Sequence, residues 1–210
     1  MDATSTFYRF AYRVGFTPWE EAEHIPEFVE RLSELVSRAE NGSGPPHGRA
    51  LELGCGSGIW GIHLAERGWE VTSVDLVERA LRRAHDRVRD AGADVRLVQG
   101  DVTRLRDAGV GSDYRLVLDT GTFHGLTPAQ RKAVGREVSA VTADDATVLL
   151  LAWNPRRRGP LPRGASQEDI EAAFPGWTVT PQGETGFPPP KPLRAEEHWY
   201  RLRRGAAQEA

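Results

Sequence analysis

The sequence predicts an α/β fold in which a mostly parallel sheet is covered by helices on both faces. Short apolar runs alternate with amphipathic helical stretches over residues 50–153. The runs are nearly continuous in their apolar character, as strands buried on both sides are. The first of them breaks into Gly54-Cys55-Gly56-Ser57-Gly58 before a helical pattern begins at Ile59. That order of strand, glycine turn and helix lets a ligand approach bare backbone at the positive end of a helix dipole.

The elements follow in order. Pro18 to Ala39 reads as one helix, with Ile25, Phe28, Val29, Leu32, Leu35 and Val36 on a single face. Thr17 is placed to cap it, with Pro18 at the first helical position, and Asn41-Gly-Ser-Gly-Pro-Pro ends it. Strands are expected at Ala50–Leu53, Glu70–Val74, Asp94–Gln99, Tyr114–Leu118 and Ala146–Trp153. Helices are expected from Ile59 through Arg67, at Val77–Asp90, at Pro128–Val141 and at Gln167–Phe174. Trp177–Thr180 and His198–Leu202 suit a terminal antiparallel pair, and Gly186–Pro192 a stiff surface loop or lid.

At 210 residues the chain suits one globular domain. Residues 1–44 read as an aromatic arm and helix covering the site, and 45–210 as the domain itself. A net charge of −3 leaves no basic stripe for nucleic acid. No apolar run approaches the roughly 18 residues of a membrane span, and the amino terminus lacks the layout of a signal peptide. The one cysteine, Cys55, has no internal partner for a disulfide. A soluble cytoplasmic protein is therefore expected, with no nucleic-acid or membrane partner, and its assembly is left as monomer or homodimer. No residues have metal-ligand spacing, and no metal is expected.

In such sheets ligands lie outside the carboxyl ends of the strands. Gly56-x-Gly58-x-x-Gly61 satisfies a dinucleotide fingerprint, with Asp75 at the distance of a ribose acid. The glycine turn, however, starts earlier, at Gly54, and Glu52 stands in the strand just before it. A carboxylate there would repel a pyrophosphate but suit the sulfonium and ammonium of S-adenosylmethionine. Asp75, Asp101 and Asp119 close the next three strands, so acids stand at successive strand ends with no lysine placed for phosphate. Asp75 suits ribose hydroxyls and Asp101 the adenine amino group.

On Glu52-Leu-Gly-Cys-Gly-Ser-Gly58, Val74-Asp75, Gln99-Gly-Asp101-Val and Leu116-Val-Leu-Asp119, the chain resembles the class I S-adenosylmethionine-dependent methyltransferases over about Arg49–Trp153. The resemblance implies a Rossmann-like, doubly wound seven-stranded sheet whose last strand is antiparallel. Phe16-Thr-Pro-Trp-Glu20 and Asp119-Thr-Gly-Thr-Phe-His124 are similar to the thiopurine, halide and tellurite branch of small-molecule methyltransferases. That likeness would fold Trp19 over the cofactor.

The expected cofactor residues are Trp19, Glu52, Gly54, Cys55, Gly56, Gly58, Asp75, Leu76, Asp101, Val102, Asp119 and Thr120. Methyl transfer rests mainly on alignment, and a base is needed only for an acceptor that must lose a proton. His124 is the candidate base, and Asp119 is expected to orient the methionine end of the cofactor. Tyr8, Tyr12, Phe123, His124, Trp153 and Asn154 are expected to face an acceptor nucleophile of oxygen, sulfur or nitrogen. Arg156-Arg157-Arg158 suit either an anionic substrate or a solvated loop. Asn154-Pro155 follows the fifth strand, not the fourth, which argues against the motif of DNA amino-methyltransferases. The rival readings are a nicotinamide-dependent reductase of NAD(P) type and a non-catalytic protein that binds S-adenosylmethionine.

Overall fold

The computed structural model describes residues 10–15, 17–155, 163–184 and 196–204. Tyr8, Phe16, Arg156-Arg157-Arg158 and the Gly186–Pro192 segment lie outside the described residues. The strands are β1 (Arg49–Leu53), β2 (Glu70–Asp75), β3 (Val95–Gln99), β4 (Tyr114–Asp119), β5 (Thr142–Trp153), β6 (Trp177–Glu184) and β7 (Glu197–Arg204). They form one seven-stranded sheet in the order β3-β2-β1-β4-β5-β7-β6. The first five run parallel, and β7 lies antiparallel between β5 and β6.

The helices are α1 (Pro26–Ala39), α2 (Ile59–Glu66), α3 (Glu78–Ala91), α4 (Pro128–Val141) and α5 (Gln167–Ala173). The expected helix from Pro18 is in fact two pieces, a 3-10 helix at Pro18–His24 and then α1. Pro26 causes the break. A residue before proline is driven out of the helical region, and Ile25 is extended at φ −107° and ψ 104°. Thr17 does not cap with its side chain. Its hydroxyl donates to the Glu20 carboxylate at 3.0 Å instead.

Alternation along the strands divides the core. Ala50, Leu116, Leu118, Leu149 and Leu151 pack with Phe28 and Leu32 of α1 and Trp60 and Leu64 of α2. Leu51, Leu53, Val117, Val148 and Leu150 face the other way, onto Val134 and Val138 of α4 and Ile170 of α5. Helix α4 opens with a capping box, in which Thr127 and Gln130 each satisfy the other's backbone N–H. Among the described residues no helix is long and apolar enough to cross a membrane.

Strand order reverses between β1 and β4. From β1 the chain proceeds outward to β2 and β3, then crosses back to β4 on the other side. This switch point brings the loops that follow β1 and β4 together at one end of the sheet.

Candidate active site

The β1 loop and the β4 loop interlock directly. Thr122 Oγ1 donates to the Leu53 carbonyl at 3.1 Å. A Cβ added at Gly54, where φ is 64°, would lie 1.9 Å from that hydroxyl. Glycine at 54 is therefore a condition for the two loops to meet. Gly58 (φ 80°) forms the left-handed N-cap of α2, and a Cβ there would stand 3.1 Å from the Ala84 methyl of α3. Cys55 is buried. Its amide donates to the Val74 carbonyl at 3.0 Å, and burial pushes its thiol up.

Asp75 closes β2 beside this loop. Its carboxylate accepts from the Gly56 amide at 2.8 Å and from the Val77 amide at 2.7 Å. Burial pushes it up to about 6, against those stabilising amides. A carboxylate has about four lone-pair positions, so acceptor capacity remains for a diol. Leu76 follows, half-buried. Asp101 caps the short turn Val102–Arg104 and takes the Thr103 amide (2.9 Å) and hydroxyl (2.7 Å) on one oxygen, Oδ1. Val102 is buried behind it.

Glu52 lies elsewhere than in the open crevice. It alternates with Leu51 and Leu53, so its side chain points beneath α2 on the face shared with Ala50. Ser73 Oγ donates to it at 2.6 Å, and a Cβ on Gly61 would stand 2.8 Å from its Oε2. Its Oε1 has no hydrogen-bond partner. Burial pushes this carboxyl up to about 8, so at neutral pH it is mostly protonated in the protein alone.

Asp119 organises its own loop. Oδ1 accepts from the amides of Gly121 (2.9 Å) and Thr122 (2.7 Å), and Oδ2 from Phe123 (3.0 Å). It is 1% exposed, and burial pushes it up to about 6. With these bonds to its own turn, Asp119 shapes the loop after β4. Asp-Thr-Gly-Thr is the chemistry of an Asx turn, a signal present in the sequence. Thr120 follows it, half-buried. Phe123 is a core residue, not an acceptor wall. It is fully buried, with its ring 6.0 Å from Phe174.

His124 turns toward the end of β5. It is 3% exposed, and its ring stacks on Trp153 at 4.7 Å with planes 19° apart. The Trp153 amide donates to His124 Nδ1 at 3.4 Å. The Trp153 indole donates to Glu197 at 2.6 Å, and Asn154 Nδ2 to Glu196 at 2.7 Å. Glu196 and Glu197 were not anticipated from the sequence, because only the β5–β7 pairing brings them here.

On the opposite side, the arm lies on the glycine loop. A Cβ at Gly56 would come within 2.5 Å of the Tyr12 hydroxyl. Tyr12 is buried with Val77 and Ala80. Trp19 donates from its indole to that hydroxyl at 3.2 Å, and the hydroxyl donates to Glu20 at 3.3 Å. Of Tyr12 and the more exposed Trp19, Tyr12 is thus the one that reaches Gly56. Arg83–Glu20 (3.0 Å) and Arg87–Glu23 (2.7 Å) tie the arm to α3.

A family model described as a methyltransferase domain matches residues 50–145, which span the glycine loop, Asp75, Asp101 and the whole β4 turn. Residues 50–145 form a methyltransferase domain of the class I S-adenosylmethionine-dependent kind. An uncharacterised methyltransferase of Schizosaccharomyces pombe is 27% identical to this methyltransferase over 111 residues, covering 53% of this chain and 75% of its own. The 2-heptyl-1-hydroxyquinolin-4(1H)-one methyltransferase of Mycobacteroides abscessus is 24% identical over 169 residues, covering 77% and 69%. Among solved structures, Burkholderia thailandensis 1,6-didemethyltoxoflavin-N1-methyltransferase, with that compound and S-adenosylhomocysteine bound, superimposes with a TM-score of 0.72. It shares 21% identity over 97% of this chain and 87% of its own, which shows a common fold.

S-adenosylmethionine is the cofactor of this methyltransferase, and the residues present fit it. The Gly56 amide is held by Asp75 at the turn after β1, and Asp75 retains acceptor capacity for a ribose diol. The match favours methyl transfer over the nicotinamide-dependent reductase and over a non-catalytic cofactor binder.

Proposed function

We propose that this methyltransferase acts on a small nucleophile bound against the His124–Trp153 pair, beneath the arm that carries Tyr12. The observation that carries this reading is the buried, stacked His124 at the mouth between β4 and β5, joined through its loop to the glycine turn. Two proteins similar to the chain are named for small acceptors, a hydroxyquinolinone and a didemethyltoxoflavin. When bound, S-adenosylmethionine supplies an electrophilic methyl group, and the chain's task is alignment. Asp75 holds the ribose, and Asp101 with Val102 the adenine. Gly54, Gly56 and Gly58 admit the remainder of the cofactor. A cytoplasmic setting suits the lone thiol at Cys55.

The role of His124 follows from its hydrogen bond. A backbone N–H only donates, so Nδ1 accepts from Trp153 and the neutral ring carries its proton on Nε2. Nε2–H is then a donor that orients an acceptor lone pair. Service as a base at Nε2 requires the ring to give up its Trp153 bond first. Acceptors already ionised near neutral pH, such as thiolates and acidic aromatic hydroxyls, are therefore favoured.

A panel of phenols, hydroxyquinolones and thiols of graded acidity tests this, with S-adenosylhomocysteine release as the readout. Turnover is expected to track the ionised fraction. His124→Ala should lower kcat/KM by about 10- to 100-fold, and His124→Asn, which keeps a donor, should restore part of it. Dependence on His124 confined to acceptors that still carry their proton, and not restored in His124→Asn, would return the base role. Methylation of nucleic acid or protein alone would overturn the small-molecule reading.

A further inference from the structure

We infer that Arg131 is the positioning residue of the acceptor side, clamping the turn that bears His124 to the segment seated on Trp153 at the end of β5. This rests on the reading that the stack lines the acceptor site.

Arg131 stands on α4, yet its side chain is buried, with the residue 5% exposed. Its Nε donates to the Phe123 carbonyl at 3.3 Å, and one terminal nitrogen donates to the His124 carbonyl at 3.1 Å. That same nitrogen also donates to the Gly164 carbonyl. The other terminal nitrogen donates to Asp169 at 2.9 Å, at the start of α5. The guanidinium lies 5.4 Å above the Phe123 ring. One planar group thereby joins the turn after β4, the segment after β5 and the first turn of α5.

The Gly164 segment is itself seated on the residues that bear the other half of the stack. The Ala165 amide donates to the Trp153 carbonyl at 2.8 Å. A Cβ at Gly164 would come within 2.3 Å of the Asn154 carbonyl oxygen. Arg131 thus adds a link between the backbone of His124 and, through the Gly164 segment, that of Trp153, beside the direct bond from the Trp153 amide to His124 Nδ1. An aliphatic residue could fill the same volume, and burying a cation is unfavourable unless its donors are satisfied. What the guanidinium adds is geometry, because its fixed fork of donors reaches carbonyls on two separate loops at once. Lysine, a point charge on a flexible stem, reproduces the charge without the fork.

The experiment compares Arg131→Met and Arg131→Lys with the unaltered protein, using S-adenosylhomocysteine as the titrant and nitrogen-15 NMR of the histidine rings. In the unaltered protein the His124 signals should report a single Nε2–H tautomer. In Arg131→Met they should move to mixed tautomers, and Trp153 emission should change as the stack loosens. Affinity for S-adenosylhomocysteine should stay within about twofold, because the ribose and adenine residues are untouched. With an acceptor from the panel above, kcat/KM should fall about 100-fold, the scale of an ångström-sized misplacement, and Arg131→Lys should recover part of it.

An unchanged His124 tautomer and Trp153 emission in Arg131→Met would overturn the clamp. So would loss of S-adenosylhomocysteine affinity in parallel with melting temperature, the mark of a merely structural arginine. If Arg131→Met does not fold, Arg131→Lys carries the same readouts. His124→Ala separates the two ideas: indifference of turnover to that change defeats the acceptor-site reading, whereas the NMR signature of the arginine variants judges the clamp.

Discussion

At the scale of single residues, three of the strand-end acids sit in different surroundings. Asp75 keeps lone pairs for a ligand, Asp119 binds its own loop, and Glu52 is buried under α2. Asp75→Asn should weaken S-adenosylhomocysteine binding by about 10- to 100-fold, the value of a charge-assisted hydrogen bond, as read by calorimetry. Because burial holds the Asp75 carboxyl near 6, affinity in the unaltered protein should fall as pH drops through about 6. Glu52 makes the opposite kind of contribution. Its folded-state proton is held more tightly than in the unfolded chain, so stability is lost as pH rises toward about 8. Glu52→Gln should therefore stabilise the protein, with a gain on the order of a few kcal/mol at about pH 8 that shrinks toward about pH 5. Urea titrations at the two pH values check this. The identities of the acids were legible from the sequence. Their surroundings were not, because strand parity and pairing register place Ser73 against Glu52. Arg131 was invisible for a related reason: carbonyls are its partners in three of four bonds, and carbonyls leave no trace in residue identity.

At the scale of elements, local chemistry could be read where it is self-contained. Helix α4 appears at its expected bounds because Thr127, Pro128 and Gln130 specify its start. The division of the first helix was also written in the chain, at Pro26, but was outweighed by an unbroken apolar face from Ile25 to Val36. The arm that results is held by the ion pairs Arg83–Glu20 and Arg87–Glu23, whose arginines are partly exposed. Such pairs contribute only about 0–1 kcal/mol each. Replacing both arginines by alanine should leave the melting temperature almost unchanged while speeding hydrogen exchange over residues 17–24. High salt should reproduce the effect in the unaltered protein. Equal exchange in both proteins would show that Tyr12 packing alone secures the arm.

At the scale of the whole molecule, the alternation of strands and helices foretold the two-sided sheet, and the family resemblance supplied the strand count. Residue patterns alone could not give the order in which strands pair, since β3 and β4 are neighbours in sequence but lie on opposite sides of β1 and β2. The expected ends of β6 and β7 fell short because polar residues such as Glu184 and Arg203 extend the ladder without an apolar signature. Trp199 of β7 is fully buried and lies 5.8 Å from Phe28 of α1. Trp199→Ala should cost about 3–5 kcal/mol by leaving a large cavity, measurable in denaturant. The placing of β7 between β5 and β6 also bears on biosynthesis. As the nascent polypeptide leaves the ribosome, β6 appears first and has nothing to zip onto, while β5 shows a naked edge. Closure of the sheet waits for Glu197–Arg204 to emerge, so a chaperone that shields that edge would meet its client in this interval.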